Sequence, residues 1–321
     1  KVGVVAALLA GVASRCFCAG PQRQHGPIYF TRGGSEPHIS SSALGLEPLL
    51  VASSTAPTSL GFWRSEYGVS YGYGGAVALC GTWLLRALGT SAPAWVAAHL
   101  LCLVLYGARL GIFLLYREMC IPRFREMRNR IEQRAEQQGS RISRAPFILA
   151  CSLLYLGLAA PGYLVLKAEL HGASPAGIAL FRAAVVAMYV GWATAAVGDL
   201  WKSVAKAQKG EDTLIASGPY AILRHPNYTG EQLLWTANFV AGLVAAFSGR
   251  RQLPIALNAL WLAVSAVGFI GIIFVLMQAT SGLERRQREK YGDDSAYQAW
   301  LKRSWPGLSL GSPKSVATAV E

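Results

Sequence analysis

Residues 218–235 read GPYAILRHPNYTGEQLLW, bringing Arg224, His225, Asn227, Tyr228 and Glu231 into the start of an otherwise apolar segment. Ionisable groups are expensive in hydrocarbon, so where they enter a membrane helix they line a cavity or a ligand site by default. A helix beginning near Pro226 places Asn227 and Glu231 at i and i+4, Trp235 four residues further on and Asn238 seven beyond Glu231. Those positions share one face and form a polar stripe. A carboxyl held there can donate a proton or a hydrogen bond to a substrate, which makes Glu231 the leading candidate for chemistry. The plainer reading is a structural glutamate bonded to a neighbouring helix.

Other groups lie close by in sequence. Pro226 biases His225 away from the helical region, so Arg224 and His225 read as a loop edge able to take the anionic part of a cofactor. Arginine suits phosphate through bidentate donation, although a lone histidine is as often structural. Upstream, DLWKSVAKAQKG puts Asp199, Lys202 and Lys206 at i, i+3 and i+7. They can hold a ribose or phosphate, or simply face lipid headgroups. Arg109 and Arg182 sit inside apolar blocks; Arg109 can snorkel or pair with a buried acid that the sequence does not name. Tyr71 and Tyr73, in SYGYG, offer phenolic donors. No metal centre is indicated: His225 has no second histidine nearby and the six cysteines form no CxxC pair. The glycine-rich dinucleotide fingerprint, the P-loop, GxSxG and HExxH are also absent.

The elements that must position these groups follow from composition. Of 321 residues, 53% are hydrophobic and 15% charged, and the apolar ones fall in long blocks separated by basic connectors. This is an all-α pattern, a polytopic membrane helix bundle. We read about six spans, at 74–88, 92–116, 146–166, 175–198, 229–247 and 253–280. Most approach the ~20 residues needed to cross ~30 Å of hydrocarbon. The first is short and reads as re-entrant or tilted. The net charge of +13 is distributed between the spans. That is the pattern of topology signals and anionic-lipid contact, not the basic face of a soluble nucleic-acid-binding domain. The loop 117–144 carries eight arginines against four glutamates, which assigns it to the cytosol or an organelle's equivalent. Counting crossings puts the 199–224 connector and the basic tail on the same side, so the cofactor cavity is expected at that face.

Residues 1–62 read as a leader, a transit-like segment or a disordered N-terminus, 63–310 as the membrane domain and 311–321 as a disordered tail. The expected location is an integral membrane position in the endoplasmic reticulum or a plastid.

The pattern GxYxxxRHPNYxGExxxW, with DxxKS before it and an ExR…Y…YxxW…P tail after it, resembles the steroid 5-alpha-reductase superfamily, and its uncharacterised steroid-reductase-like branch most closely. SYGYG and LYGARLGIFLLYRE (105–118) extend the likeness over most of the chain from residue 67 to 306, with the C-terminal core at 175–310. Isoprenylcysteine carboxyl methyltransferases share the fold and an RHPxYxG segment. The resemblance implies a helical bundle that holds NADPH in the reductases, or S-adenosylmethionine in the methyltransferases. It implies an oxidoreductase that reduces a carbonyl-conjugated C=C bond of a lipophilic, steroid-, isoprenoid- or lipid-like substrate. The alternatives are a membrane methyltransferase and a non-catalytic subunit of the same fold. Glu231 after Gly230 favours the reductases. The implied catalytic groups are Glu231 and Tyr228. The implied cofactor-binding groups are Asp199, Lys202, Lys206, Tyr220, Arg224, His225, Asn227, Arg285, Arg286 and Tyr297. The tyrosine that partners Glu231 has no motif of its own; Tyr71, Tyr73 and Tyr106 are the candidates.

Overall fold

A computed structural model describes residues 45–310 apart from 91, 171–172, 211, 249 and 252. The chain forms ten α-helices among the described residues: α1 (Leu46–Thr58), α2 (Leu60–Trp63), α3 (Tyr71–Arg86), α4 (Ala94–Cys120), α5 (Pro122–Gln137), α6 (Ala145–Leu166), α7 (Pro175–Lys209), α8 (Pro226–Ser248), α9 (Ile255–Tyr291) and α10 (Ser295–Arg303). Short 3-10 turns precede α3, α6 and α8, at Ser65–Gly68, Arg141–Arg144 and Gly218–Ala221. The one extended element among these residues is a two-residue antiparallel pair, β1 (Ala168–Glu169) with β2 (Arg250–Arg251), which ties the end of α6 to the end of α8.

Among the described residues four helices are long and apolar enough to cross a membrane: α4, α6 with its preceding turn, α7 and α9. The chain is an integral membrane helix bundle by that measure. Two of the six expected spans lie outside this set. Helix α3 has 16 residues, short of a ~30 Å crossing at 1.5 Å per residue. Helix α8 has 23, but Asn227, Glu231, Gln232 and Asn238 dilute its apolar character. Its position resolves the conflict. α8 sits among α7, α6 and α9, and Gly230, Glu231, Gln232, Leu234, Trp235, Ala237 and Asn238 are all buried. A helix too polar for lipid is surrounded by protein instead, where its side chains find partners.

Two expectations change here. Residues 46–58, expected to be part of a transit-like or disordered segment, form the helix α1, which packs on α3 and α6. Residues 1–44 and 311–321, and the calls made on them, lie outside the described residues. The arginine-rich segment 117–144 is not a loop. It continues α4 to Cys120, restarts at Pro122 as α5, and buries one of α5's side chains, Arg128.

Backbone-to-backbone helix contacts organise the bundle. In hydrocarbon, helices gain little from burying apolar area against each other and associate through close packing at small residues. Three of the closest crossings among the described residues follow. A Cβ on Gly107 would stand 2.2 Å from Gly74 O, joining α4 to α3. One on Gly268 would stand 2.3 Å from the Gly157 carbonyl carbon, joining α9 to α6. One on Gly191 would stand 2.5 Å from Gly230 O, joining α7 to α8, and Gly198 repeats that contact at Asn227 N, 2.8 Å.

Candidate functional site

The site residues sit beside the crossing glycines. Tyr73 precedes Gly74, Tyr106 precedes Gly107 and Glu231 follows Gly230, so each close approach carries a candidate side chain into the same interior volume. There Tyr106 Oη donates to Glu231 Oε2 at 2.7 Å, and Tyr73 Oη lies 2.7 Å from Tyr106 Oη and 3.4 Å from the same carboxylate oxygen. Trp235 Nε1 donates to Tyr73 Oη at 2.7 Å. An indole nitrogen only donates, so Tyr73's oxygen accepts from it and its own proton is free for Tyr106 or the carboxylate. Trp235, Tyr73, Tyr106 and Glu231 thus form one connected hydrogen-bond network. Glu231 is 8% exposed and both tyrosines are buried, so the carboxyl meets its hydroxyl partners in a site of low dielectric, where such bonds are strong. Tyr155 stacks on Tyr73 with ring centroids 5.1 Å apart and fixes its plane.

About two turns beyond Glu231 the polar stripe ends in a second network. Asn238 Oδ1 lies 2.9 Å from His99 Nε2, and Asn238 Nδ2 donates to Leu158 O at 2.9 Å. Asn238 thus pins α8 to α4 and α6.

Toward the basic end, Arg109 of α4 pairs with Asp199 of α7 and donates to Ala195 O at 2.8 Å. Asp199 is therefore the buried acid that the sequence left unnamed. Lys206, Asp199, Arg117 and Arg286 all act electrostatically on Lys202, and Asp199 also acts on Arg117. Arg117 and Arg286 also act on Tyr228. Lys202 thus lies among three other cations and one acid. Arg109 Nη1, buried beside them, has no acceptor among the described residues. The connector from α7 to α8 is fastened over this end by Asp212, which accepts from Lys290 Nζ at 2.9 Å and lies 3.7 Å from Arg123 Nη1. Its exposed carboxylate is held below the usual range chiefly by the Lys290 hydrogen bond.

The residues of the RHP segment are occupied differently. Arg224 donates to Glu284 Oε2 at 2.9 Å, to Ser304 O at 3.1 Å and to Leu301 O at 3.2 Å. His225 is buried, its Nε2 2.7 Å from Glu284 Oε1. Arg224 N donates to Trp305 O, and Trp305 N to Ile222 O, both at 2.8 Å. Trp300 Nε1 donates to Tyr220 O at 2.6 Å, while Tyr220 Oη donates to Gly198 O at 3.2 Å. Burial, followed by the Asp199 charge, raises the Tyr220 phenol. Gln232 closes the clamp, donating to Leu308 O at 2.8 Å. The post-α9 chain is thus strapped along 220–232 by polar bonds that satisfy otherwise orphaned backbone groups.

The candidates therefore divide. Glu231 is joined by Tyr106 and Tyr73 and not by Tyr71, whose hydroxyl donates to Glu118 at 2.7 Å. The hydroxyls bonded to Glu231 are not that of Tyr228, which is half-buried within electrostatic reach of Glu231, Asp199, Arg117 and Arg286. Asp199, Lys202, Lys206 and Arg286 come together at the basic end, near Asn227, whose amide packs on Gly198. Arg224, His225, Tyr220 and Tyr297 belong to the strap; Tyr297 is fully buried against Trp300. Arg285 is exposed, 3.9 Å from Glu289. Sequence reasoning missed Arg117, Glu284 and the role of Trp235. No dipeptide signal separates the two tyrosines from Tyr71, which is followed by Gly72 just as Tyr73 is by Gly74 and Tyr106 by Gly107.

No curated protein and no solved structure matches the chain. Residues 67–304 match the family described as "Protein of unknown function (DUF1295)", and the chain belongs to that family, which is associated with steroid 5-alpha-reductase-like proteins.

Proposed function

We propose that this protein is an NADPH-dependent membrane oxidoreductase that reduces a carbonyl-conjugated C=C bond in a lipophilic substrate. The observation that carries the reading is the buried carboxyl of Glu231 with the Tyr106 hydroxyl at 2.7 Å and Tyr73 behind it. Reduction of an enone needs two things from the protein: donors aimed at the carbonyl oxygen, and exclusion of water while charge develops there. Tyr106 and Glu231 supply the donors. When the carbonyl oxygen replaces one of their mutual bonds, the negative charge of the enolate is shared among O–H groups already oriented by Tyr73 and Trp235. Little reorganisation is then required at the moment of reaction.

NADPH supplies the hydride when bound. The residues present suit its phosphates: Arg117, Lys202, Lys206 and Arg286 outnumber Asp199, and Arg109 Nη1 is a buried donor without an acceptor among the described residues. Arginine and lysine hold phosphate by charge-assisted bonds. Arg224 and His225, paired with Glu284, orient the segment that leads into α8. Tyr228 lies between the basic end and Glu231 and lines the path from one to the other.

The test is calorimetric titration of the detergent-purified chain with NADPH and, separately, with S-adenosylmethionine. Saturable NADPH binding that weakens by about tenfold in Lys202→Ala or Arg117→Ala, the size expected for a charge-assisted hydrogen bond, supports the reading. Binding of S-adenosylmethionine alone replaces it with a methyltransferase. A folded sample that binds neither leaves a non-catalytic subunit.

A further inference from the structure

Away from Glu231, a cleft of about 650 Å³ opens where α5 meets the start of α6. Its lining mixes polar Arg134, Gln138, Ser143 and Arg144 with apolar Ile131, Phe147 and Ile148. No carboxylate lines it. The floor is built and incompletely satisfied. Arg144, its side chain 10% exposed, pairs with Glu132 at 2.9 Å and donates to Gly61 O at 3.3 Å, yet its buried Nε has no acceptor among the described residues. Ser65 Oγ is likewise buried without a partner there. Arg134 stands exposed at the mouth.

The place of the cleft in the bundle says what fills it. The candidate span Arg141–Leu166 begins at its rim, so the cleft lies at headgroup level. Below it Phe147, Leu149 and Leu153 turn outward, 55%, 61% and 48% exposed, as lipid-facing side chains do. Basic groups above an apolar wall at this depth match a lipid whose phosphate is anionic and whose chains run down the helix. The volume is that of a small-molecule site, enough for a headgroup and the first acyl carbons. We propose that this cleft binds one anionic phospholipid, its phosphate held by Arg134 and Gln138 over Arg144 and its glycerol and upper chains laid along Ile131 and Phe147.

The experiment is native mass spectrometry of the delipidated full chain in detergent, titrated with dioleoyl-phosphatidylglycerol, dioleoyl-phosphatidylcholine or inorganic phosphate. The expected result is retention of one phosphatidylglycerol in preference to phosphatidylcholine. Arg134→Gln should weaken it about fivefold, the effect of one basic residue at an anionic surface. Arg130→Gln, which removes an exposed charge from the same helix outside the cleft, should leave it unchanged. Phe147→Ser should weaken both lipids. Because Arg134 and Phe147 are exposed, these variants test binding without unfolding the protein. Equal retention of the two lipids overturns the proposal. So does an Arg130→Gln effect as large as that of Arg134→Gln, which would mark diffuse attraction. Binding of inorganic phosphate without lipid overturns it as well.

Discussion

Gly107 of α4 lies so near Gly74 of α3 that a Cβ on Gly107 would stand 2.2 Å from the Gly74 carbonyl oxygen, and this contact sets Tyr106 against Tyr73. The crossing and the hydroxyl pair are one feature seen at two levels. Gly107→Ala should therefore force α3 and α4 apart, costing about 1–3 kcal/mol, as overpacking of an interior does. Gly111→Ala, one turn on, meets nothing within 4 Å and should be neutral. Thermal unfolding in detergent distinguishes them; equal melting temperatures for the two variants would refute the tight crossing.

The strap offers a second test. Arg224 and Glu284 have side chains 16% and 10% exposed, and removing one partner of a buried pair costs about 3–5 kcal/mol because the other charge is stranded. Glu284→Ala strands both Arg224 and His225 and should free the 295–310 segment. Limited proteolysis should then cut there in the variant at protease levels that leave the wild type intact. Arg224→Met with Glu284→Leu, which leaves no stranded charge on either partner, should be milder than Glu284→Ala. If it is as labile, the pair is not what holds the strap.

Much of this arrangement was legible in the sequence. The apolar blocks announced a helix bundle, and the stripe from Asn227 to Asn238 marked α8 as the helix that carries the site. Glu231 followed from its type and depth. What was not legible depends on contacts between distant segments. The choice of Tyr106 and Tyr73 over Tyr71 rests on a helix crossing, and the capture of Arg224 by Glu284 rests on the fold-back of the tail. Helix α1 was hidden by composition: its Ser, Thr and Pro residues read as a linker. In the structure the hydroxyls of Ser54, Thr55 and Thr58 bond back to the carbonyls of Val51 and Ser54. Side-chain bonds of that kind let a polar segment pack as a helix.

Glu132 gives the account a pH dependence. Burial pushes its carboxyl up, but the Ser65 backbone N–H at 2.7 Å and Arg144 outweigh it and hold it below its usual 4.5. A carboxylate depressed in the folded state contributes stability above its unfolded value, lost as pH falls through the folded one. The junction of α5 with Ser65 should loosen below 4.5, and Glu132→Gln should lack that acid-dependent part while being less stable at neutral pH. Hydrogen exchange at the Ser65 amide, followed from neutral pH to about pH 3, reads this directly. Protection that is independent of pH in the wild type would contradict it.

The central claim is that Glu231 with Tyr106 acts on the substrate carbonyl, and NADPH oxidation by the chain in proteoliposomes, over a panel of enone lipids, tests it most directly. The account expects turnover with at least one such lipid. It also expects a loss of about 10²–10³ in kcat for Glu231→Gln, the effect of removing one oxyanion donor. A smaller loss is expected for Tyr106→Phe, with NADPH affinity and melting temperature retained in both. Glu231→Gln turning over at the wild-type rate would contradict the account and return Glu231 to a structural role between the helices.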